Sequence, residues 1–236
     1  MNSYLHYIPK GIESTPQIFT LRHLLKSNRS KSIFRPIIAV GVIVVIVAAV
    51  ILILRSESSQ VPSLSAARLA SDPSLGSPSA KVTIIEYGDF GCTTCRGWEQ
   101  AGVLKQIVAS YGDQVHFVWR DYPIITAQSP QAAQAGQCAF DQGKFWEYHD
   151  LLYAKAPALS ISDLKSYAAQ LGLNTAQFNQ CLDSGQDQAK VNQSIAEAHG
   201  YGFIGTPSFT VNGQKVIGPA SFAQFKSMID PILAGG

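Results

Sequence analysis

Hydrophobic and polar positions divide the chain into three stretches of different character. Residues 36–54, PIIAVGVIVVIVAAVILIL, are nineteen positions without a charge. At 1.5 Å per residue they span roughly 28 Å, about the thickness of a hydrocarbon core. From Val82 to Ile85 a short apolar run reads as a buried strand, broken by the carboxylate of Glu86. A turn through Gly88, Asp89 and Gly91 leads into a helical pattern over 96–110, with Val103, Leu104, Ile107 and Val108 as its apolar stripe. Tyr111-Gly112-Asp113 stops it, and 115–120 reads as a second strand, which makes a strand–helix–strand unit with a parallel pair.

From 131 to 199 the period becomes helical throughout, with helices expected near 131–142, 144–154, 162–171, 175–182 and 187–199. Asn174 with Gln177 marks one helix start. Strands then return. Phe209-Thr210-Val211 and Lys215-Val216-Ile217 flank Asn212-Gly213, a hairpin signal. Ser221 with Gln224 caps a last helix whose inward residues are Phe222, Phe225, Met228 and Ile229. The order is βαβ, an all-helical insert over about 127–199, then ββα.

Charge follows the same division. Residues 1–35 carry six Lys/Arg against Glu13 alone, whereas 56–236 carry eleven Lys/Arg against fifteen Asp/Glu. A mildly acidic main domain offers no nucleic-acid face. A basic tail before an apolar span places the N-terminus in the cytoplasm and the rest outside. The expected organisation is a basic cytoplasmic tail (1–35), a transmembrane helix (36–55), a Ser/Pro/Gly-rich linker (56–78) with a short helix near 66–70, and a folded domain (79–236). The competing reading is a cleaved signal peptide. It asks for a shorter apolar run and a small-residue cleavage site close behind it. Here Arg55-Ser56-Glu57 follows instead, and Ser65-Ala66-Ala67 lies far downstream.

The chemistry centres on Cys92-Thr93-Thr94-Cys95 at the junction of the first strand and helix. A dithiol there is a redox motif. Free N–H groups and the positive end of the helix dipole stabilise a thiolate on Cys92, the expected exposed nucleophile, with Cys95 as the buried resolving thiol. Cys138 and Cys181 remain. In an oxidising compartment they either pair with each other or stay as two buried thiols. The four cysteine spacings do not suit a zinc site. Phe145, Trp146, Tyr148 and His149 read as core packing of the insert, His116 and His199 as structural or surface histidines, and Arg120-Asp121 as a pair closing a strand end.

Taken together, LGSPSAKVTIIEYGDFGCTTC, VHFVWRDYP, CAFDQGKFWEYHDLLY and GTPSFTVNG resemble the DsbA-like thiol oxidoreductases of the thioredoxin superfamily, in particular the membrane-anchored bacterial type. The likeness runs from about Leu75 to Leu233. It implies a thioredoxin-like α/β fold with an inserted all-helical subdomain, and an extracytoplasmic enzyme that forms disulfides in exported proteins. It implies that Glu86 relays protons for Cys95 from a buried position, where the alternative is an exposed strand-end carboxylate. It implies that Thr206-Pro207 is a cis-proline loop binding substrate, where the alternative is a trans turn. Some relatives carry a structural bridge like Cys138–Cys181. The redox partner it implies is a membrane protein of the DsbB or vitamin K epoxide reductase type, and the protein is expected to be monomeric, without metal or small cofactor. Thr93-Thr94 departs from the strong oxidants, which carry a His between the cysteines; this implies a Cys92 pKa lowered less than theirs and keeps a reductase or isomerase in view. A non-catalytic or metal-delivering module is the alternative of another class.

Overall fold

The computed structural model describes residues 71–235, with Ile46 and Leu69 the only described positions before them. The expected membrane span and tail lie outside the described residues, Ile46 apart, as does the short helix near 66–70, Leu69 apart. Among the described residues no helix is long and apolar enough to cross a membrane.

Among the described residues, five strands form one sheet in the order β1-β3-β2-β4-β5. The central strand β2 (Val82–Gly88) pairs in parallel with β3 (Val115–Asp121) and antiparallel with β4 (Ser208–Val211). The edges are β1 (Ser74–Leu75), antiparallel to β3, and β5 (Gln214–Ile217), antiparallel to β4. β1 is too short to leave a periodic signal, and its partner strand holds it in place: the Trp119 N–H also donates to the Pro73 carbonyl, at 2.9 Å. The β4–β5 turn is the expected Asn-Gly hairpin, with Asn212 at φ 46° and Gly213 at φ 83°.

The helical pattern over 96–110 is two helices, α1 (Thr93–Gln100) and α2 (Val103–Tyr111). Gly102 adopts φ 68°, a left-handed conformation that ends α1 and redirects the chain, and that a glycine reaches without steric cost. The insert is α3 (Ser129–Phe140), α4 (Phe145–Lys155), α5 (Ile161–Gln170), α6 (Thr175–Ser184) and α7 (Gln188–Gly200). The Asn174 side chain accepts the Gln177 N–H at 3.1 Å. The final helix α8 (Phe222–Ala234) begins with the expected Ser221–Gln224 capping box.

Alternation along β2 and β3 sorts the core. Val82, Ile84, Val115 and Phe117 face α1, α2 and α8, where Phe225 and Ile229 are fully buried. Ile85, Tyr87 and Val118 face the other way, toward Ala198 of α7 and the Tyr201–Phe203 segment. Burying each of these large side chains contributes roughly 1.5–3 kcal/mol. A third cluster fills the insert and reaches the two redox cysteines through Phe90 and Trp119.

Arg120 and Asp121 do not close a strand end together. Both are buried with separate partners. Arg120 Nε donates to Asp72 Oδ2 at 2.7 Å and its Nη1 to Glu197, which also accepts from the Tyr87 hydroxyl at 2.6 Å. Asp121 accepts from Trp119 Nε1 at 2.9 Å and from Gln137 Nε2. β3 is covered on both faces, so its charged residues are enclosed and need dedicated partners.

Candidate active site

Cys92 is the N-cap of α1 (φ −83°, ψ 120°), with no side chain capping the helix. Its sulfur therefore sits where the first N–H groups of the helix are unpaired. The turn before it is organised by Asp89, which the sequence pattern places only in a turn. Asp89 is 1% exposed. Its Oδ1 accepts the Gly91 N–H at 2.7 Å, and its Oδ2 accepts the N–H groups of Ile124 and Ile125, both at 2.8 Å. The Cys92 N–H closes the turn on the Asp89 carbonyl at 3.0 Å. One carboxylate thus ties the dithiol loop to the chain leaving β3. Sequence spacing does not show it, because the Ile124 partner lies 35 residues away.

The expected cis peptide is present between Thr206 and Pro207. It brings the Thr206 carbonyl within 3.3 Å of the Cys92 sulfur, which donates to it. Cys92 is consequently more covered than a freely exposed nucleophile, at 5% exposure against 1% for Cys95, because the Thr206 main chain lies across it. Both thiols are free in this structure. The Thr206 hydroxyl is buried without a hydrogen-bond partner in this thiol state.

The Cys92 pKa is lowered to about 5. The hydrogen bond from Cys95 is the main cause, joined by Thr206 and by the backbone N–H groups of Cys95 and Thr94, against the opposing effect of burial. The Thr93 and Thr94 side chains face solvent, and Thr94 acts on the thiolate through its backbone. Burial pushes the Cys95 thiol up, with the Cys92 hydrogen bond and the Glu86 charge acting in the same direction. The two sulfurs are thus driven apart: one is poised as a thiolate, the other held protonated.

Glu86 is on the same face of β2 as Ile84 and is 2% exposed, so the exposed strand-end alternative is excluded. Its pKa is raised well above 4.5, by burial first and then by the charges of Glu99 and Cys92. A buried carboxyl with a raised pKa, electrostatically coupled to Cys95, has the properties of a proton relay. Glu99, on α1 one turn beyond Cys95, is a further enclosed carboxylate, which the sequence motifs do not single out. It is 8% exposed, its Oε2 has no partner, and its pKa is raised by burial. Its place on the buried side of an amphipathic helix is the available signal.

Cys138 and Cys181 are joined as a disulfide between α3 and α6, with Cα atoms 5.9 Å apart. Among the described residues they form, with Asp187, the one group of potential metal ligands. Sulfurs bound to each other are not free thiolates, so that group is not a metal site in this state. His149 packs as expected, edge-on against Trp119 and Tyr153, and its Nδ1 lies 3.0 Å from Asp150 Oδ1. His116 is buried and His199 is exposed on the surface of α7.

A sequence family described as thioredoxin matches residues 69–231. Among solved structures, a thioredoxin-like oxidoreductase from Silicibacter pomeroyi is 28% identical with a TM-score of 0.64, covering 76% of this chain and 99% of that one. BdbD from Bacillus subtilis is 22% identical with a TM-score of 0.65, covering 71% and 95%. The thiol-disulfide exchange protein α-DsbA2 from Wolbachia pipientis is 18% identical with a TM-score of 0.63, covering 76% and 93%. Among curated proteins, a Na(+)/H(+) antiporter NhaA of Salinispora tropica is 36% identical over 146 residues, 61% of this chain and 22% of the relative. The chain spans about a quarter or less of the length of such relatives.

Proposed function

Given that the chain belongs to the thioredoxin family, we propose that it is a DsbA-like thiol-disulfide oxidoreductase that works as an oxidase, forming disulfides in exported proteins. The observation that carries this reading is the Cys92 thiolate, with a pKa lowered to about 5 beside a protonated, buried Cys95. A stabilised thiolate makes the reduced form the favoured one, so the Cys92–Cys95 disulfide readily accepts electrons from substrate thiols. The thiolate needs no charged residue between the cysteines, since Cys95, Thr206 and backbone N–H groups stabilise it.

Catalysis divides among named residues. A substrate thiolate attacks Cys92 and forms a mixed disulfide. Cys95 leaves as Glu86 gives it a proton. The main chain beside cis-Pro207 holds the extended substrate, Thr206 lying directly over the reacting sulfur. The dithiol is the redox group, with no metal or small cofactor. The protein acts as a monomer, held on the outer side of the cell membrane by residues 36–55. A quinone-linked membrane protein of the DsbB or vitamin K epoxide reductase type reoxidises it. The nineteen uncharged residues and the basic tail before them support the anchor. Incubation with a reduced, unfolded substrate tests the direction. The oxidised protein should generate disulfides in stoichiometric amount, and Cys92→Ser should abolish this. Faster reduction of a disulfide substrate by the dithiol form would instead favour a reductase.

A further inference from the structure

The helical insert packs against the dithiol turn, and Tyr153 is part of that packing. Tyr153, in the last turn of α4, is 3% exposed. Its ring packs between Phe90 (centroids 5.2 Å) and His149 (4.9 Å), with Trp119 at 6.3 Å. These contacts fix the ring, and so the direction of its hydroxyl. The hydroxyl reaches the turn that enters α1. It donates to the Asp89 carbonyl at 3.4 Å, a long contact for an O–H···O bond, and shares one buried cluster with Cys95. Burial and the neighbouring Cys95, Glu86 and Asp89 keep the phenol protonated, and therefore a donor.

We propose that Tyr153 donates a hydrogen bond to the Cys95 sulfur as negative charge collects there during thiol–disulfide exchange, so that the insert supplies part of the redox centre. The inference rests on exchange at Cys92 and Cys95. In the step concerned, a substrate thiolate bonds to Cys92 Sγ and the Cys92–Cys95 bond breaks. Its electron pair moves onto Cys95 Sγ, which takes a proton from the Glu86 carboxyl. Reversal of the same step releases the partner. Neither end state carries charge on Cys95, since it is bonded in one and protonated in the other. A donor aimed at that sulfur therefore favours the transition state over both. It accelerates attack and release alike and leaves their ratio unchanged.

Tyr153→Phe keeps the ring and removes the donor. Rates of exchange with a cysteine-containing peptide, measured in both directions by stopped-flow tryptophan fluorescence, should each fall about tenfold, as expected for one hydrogen bond to a charged group. The reduction potential and the Cys92 titration should not move. A packing defect would shift the potential or the stability instead. Rates within twofold of the parent, or a slowing in one direction only with a shifted potential, overturn the proposal. If the parent itself fails to exchange, the oxidoreductase reading falls rather than the role of Tyr153. Should Tyr153→Phe not fold by circular dichroism, 3,5-difluorotyrosine placed at position 153 alone, a stronger donor of similar shape, should speed both directions. Unchanged or slower rates would again overturn it.

Discussion

At the scale of single residues, the site depends on charge being favoured at one sulfur and opposed at another. Glu86 belongs to the second group. A carboxyl whose folded pKa is raised keeps a proton that the unfolded chain releases. Stability therefore falls as pH rises from about 4.5 toward the raised value. Gln in its place escapes that loss. Glu86→Gln should be more stable than the parent at neutral pH in urea titrations, with the difference shrinking as pH falls toward 4.5. On the proposed relay, the same variant should slow exchange by on the order of tenfold or more, because Cys95 then has no carboxyl to draw a proton from. Loss of stability at neutral pH, or an unchanged pH profile of exchange, would remove Glu86 from the relay. Cys92, Cys95, Glu86 and Pro207 are legible from the chain because each sits in a local motif or an alternating strand. The Asp89 and Tyr153 contacts are not, because they join segments distant in sequence, and Glu99 shows only as a buried position on an amphipathic helix.

At the scale of elements, hydrophobic period locates the strands and the insert but not every break between them. The run over 96–110 keeps one apolar stripe across two helices, and only the backbone of Gly102 reveals the join. β1 is two residues long and exists through pairing with β3, which no local pattern encodes. A tighter constraint lies at the end of β2. A Cβ on Gly88 would stand 2.2 Å from the Trp119 ring, which is itself stacked on Phe90 at 4.9 Å. An indole clamped in the core has little room to yield. Gly88→Ala should therefore destabilise the domain by about 1–3 kcal/mol, the usual cost of overpacking. Chemical denaturation reads this directly, and a change below a few tenths of a kcal/mol would show that the ring shifts freely.

At the scale of the whole molecule, the insert is tied both to itself and to the redox centre. The Cys138–Cys181 bridge spans 43 residues of sequence and joins α3 to α6. Constraining an unfolded loop of that length stabilises by about 4 kcal/mol in the chain-entropy estimate. Replacing both cysteines by Ala should lower unfolding stability by an amount of that order, and a loss under about 1 kcal/mol would mean that helix packing alone holds the insert. The even cysteine count points to this pair from the sequence alone. The burial of Arg120 with Asp72 and Glu197 does not follow from the sequence, because it depends on β3 being covered on both faces. The central claim is that the dithiol centre is built to take electrons. Equilibration with glutathione redox buffers, read by thiol alkylation of Cys92 and Cys95, tests it most directly. An oxidase should show a reduction potential on the oxidising side, toward about −120 mV, and a value near about −270 mV, that of a reductant, would contradict the account.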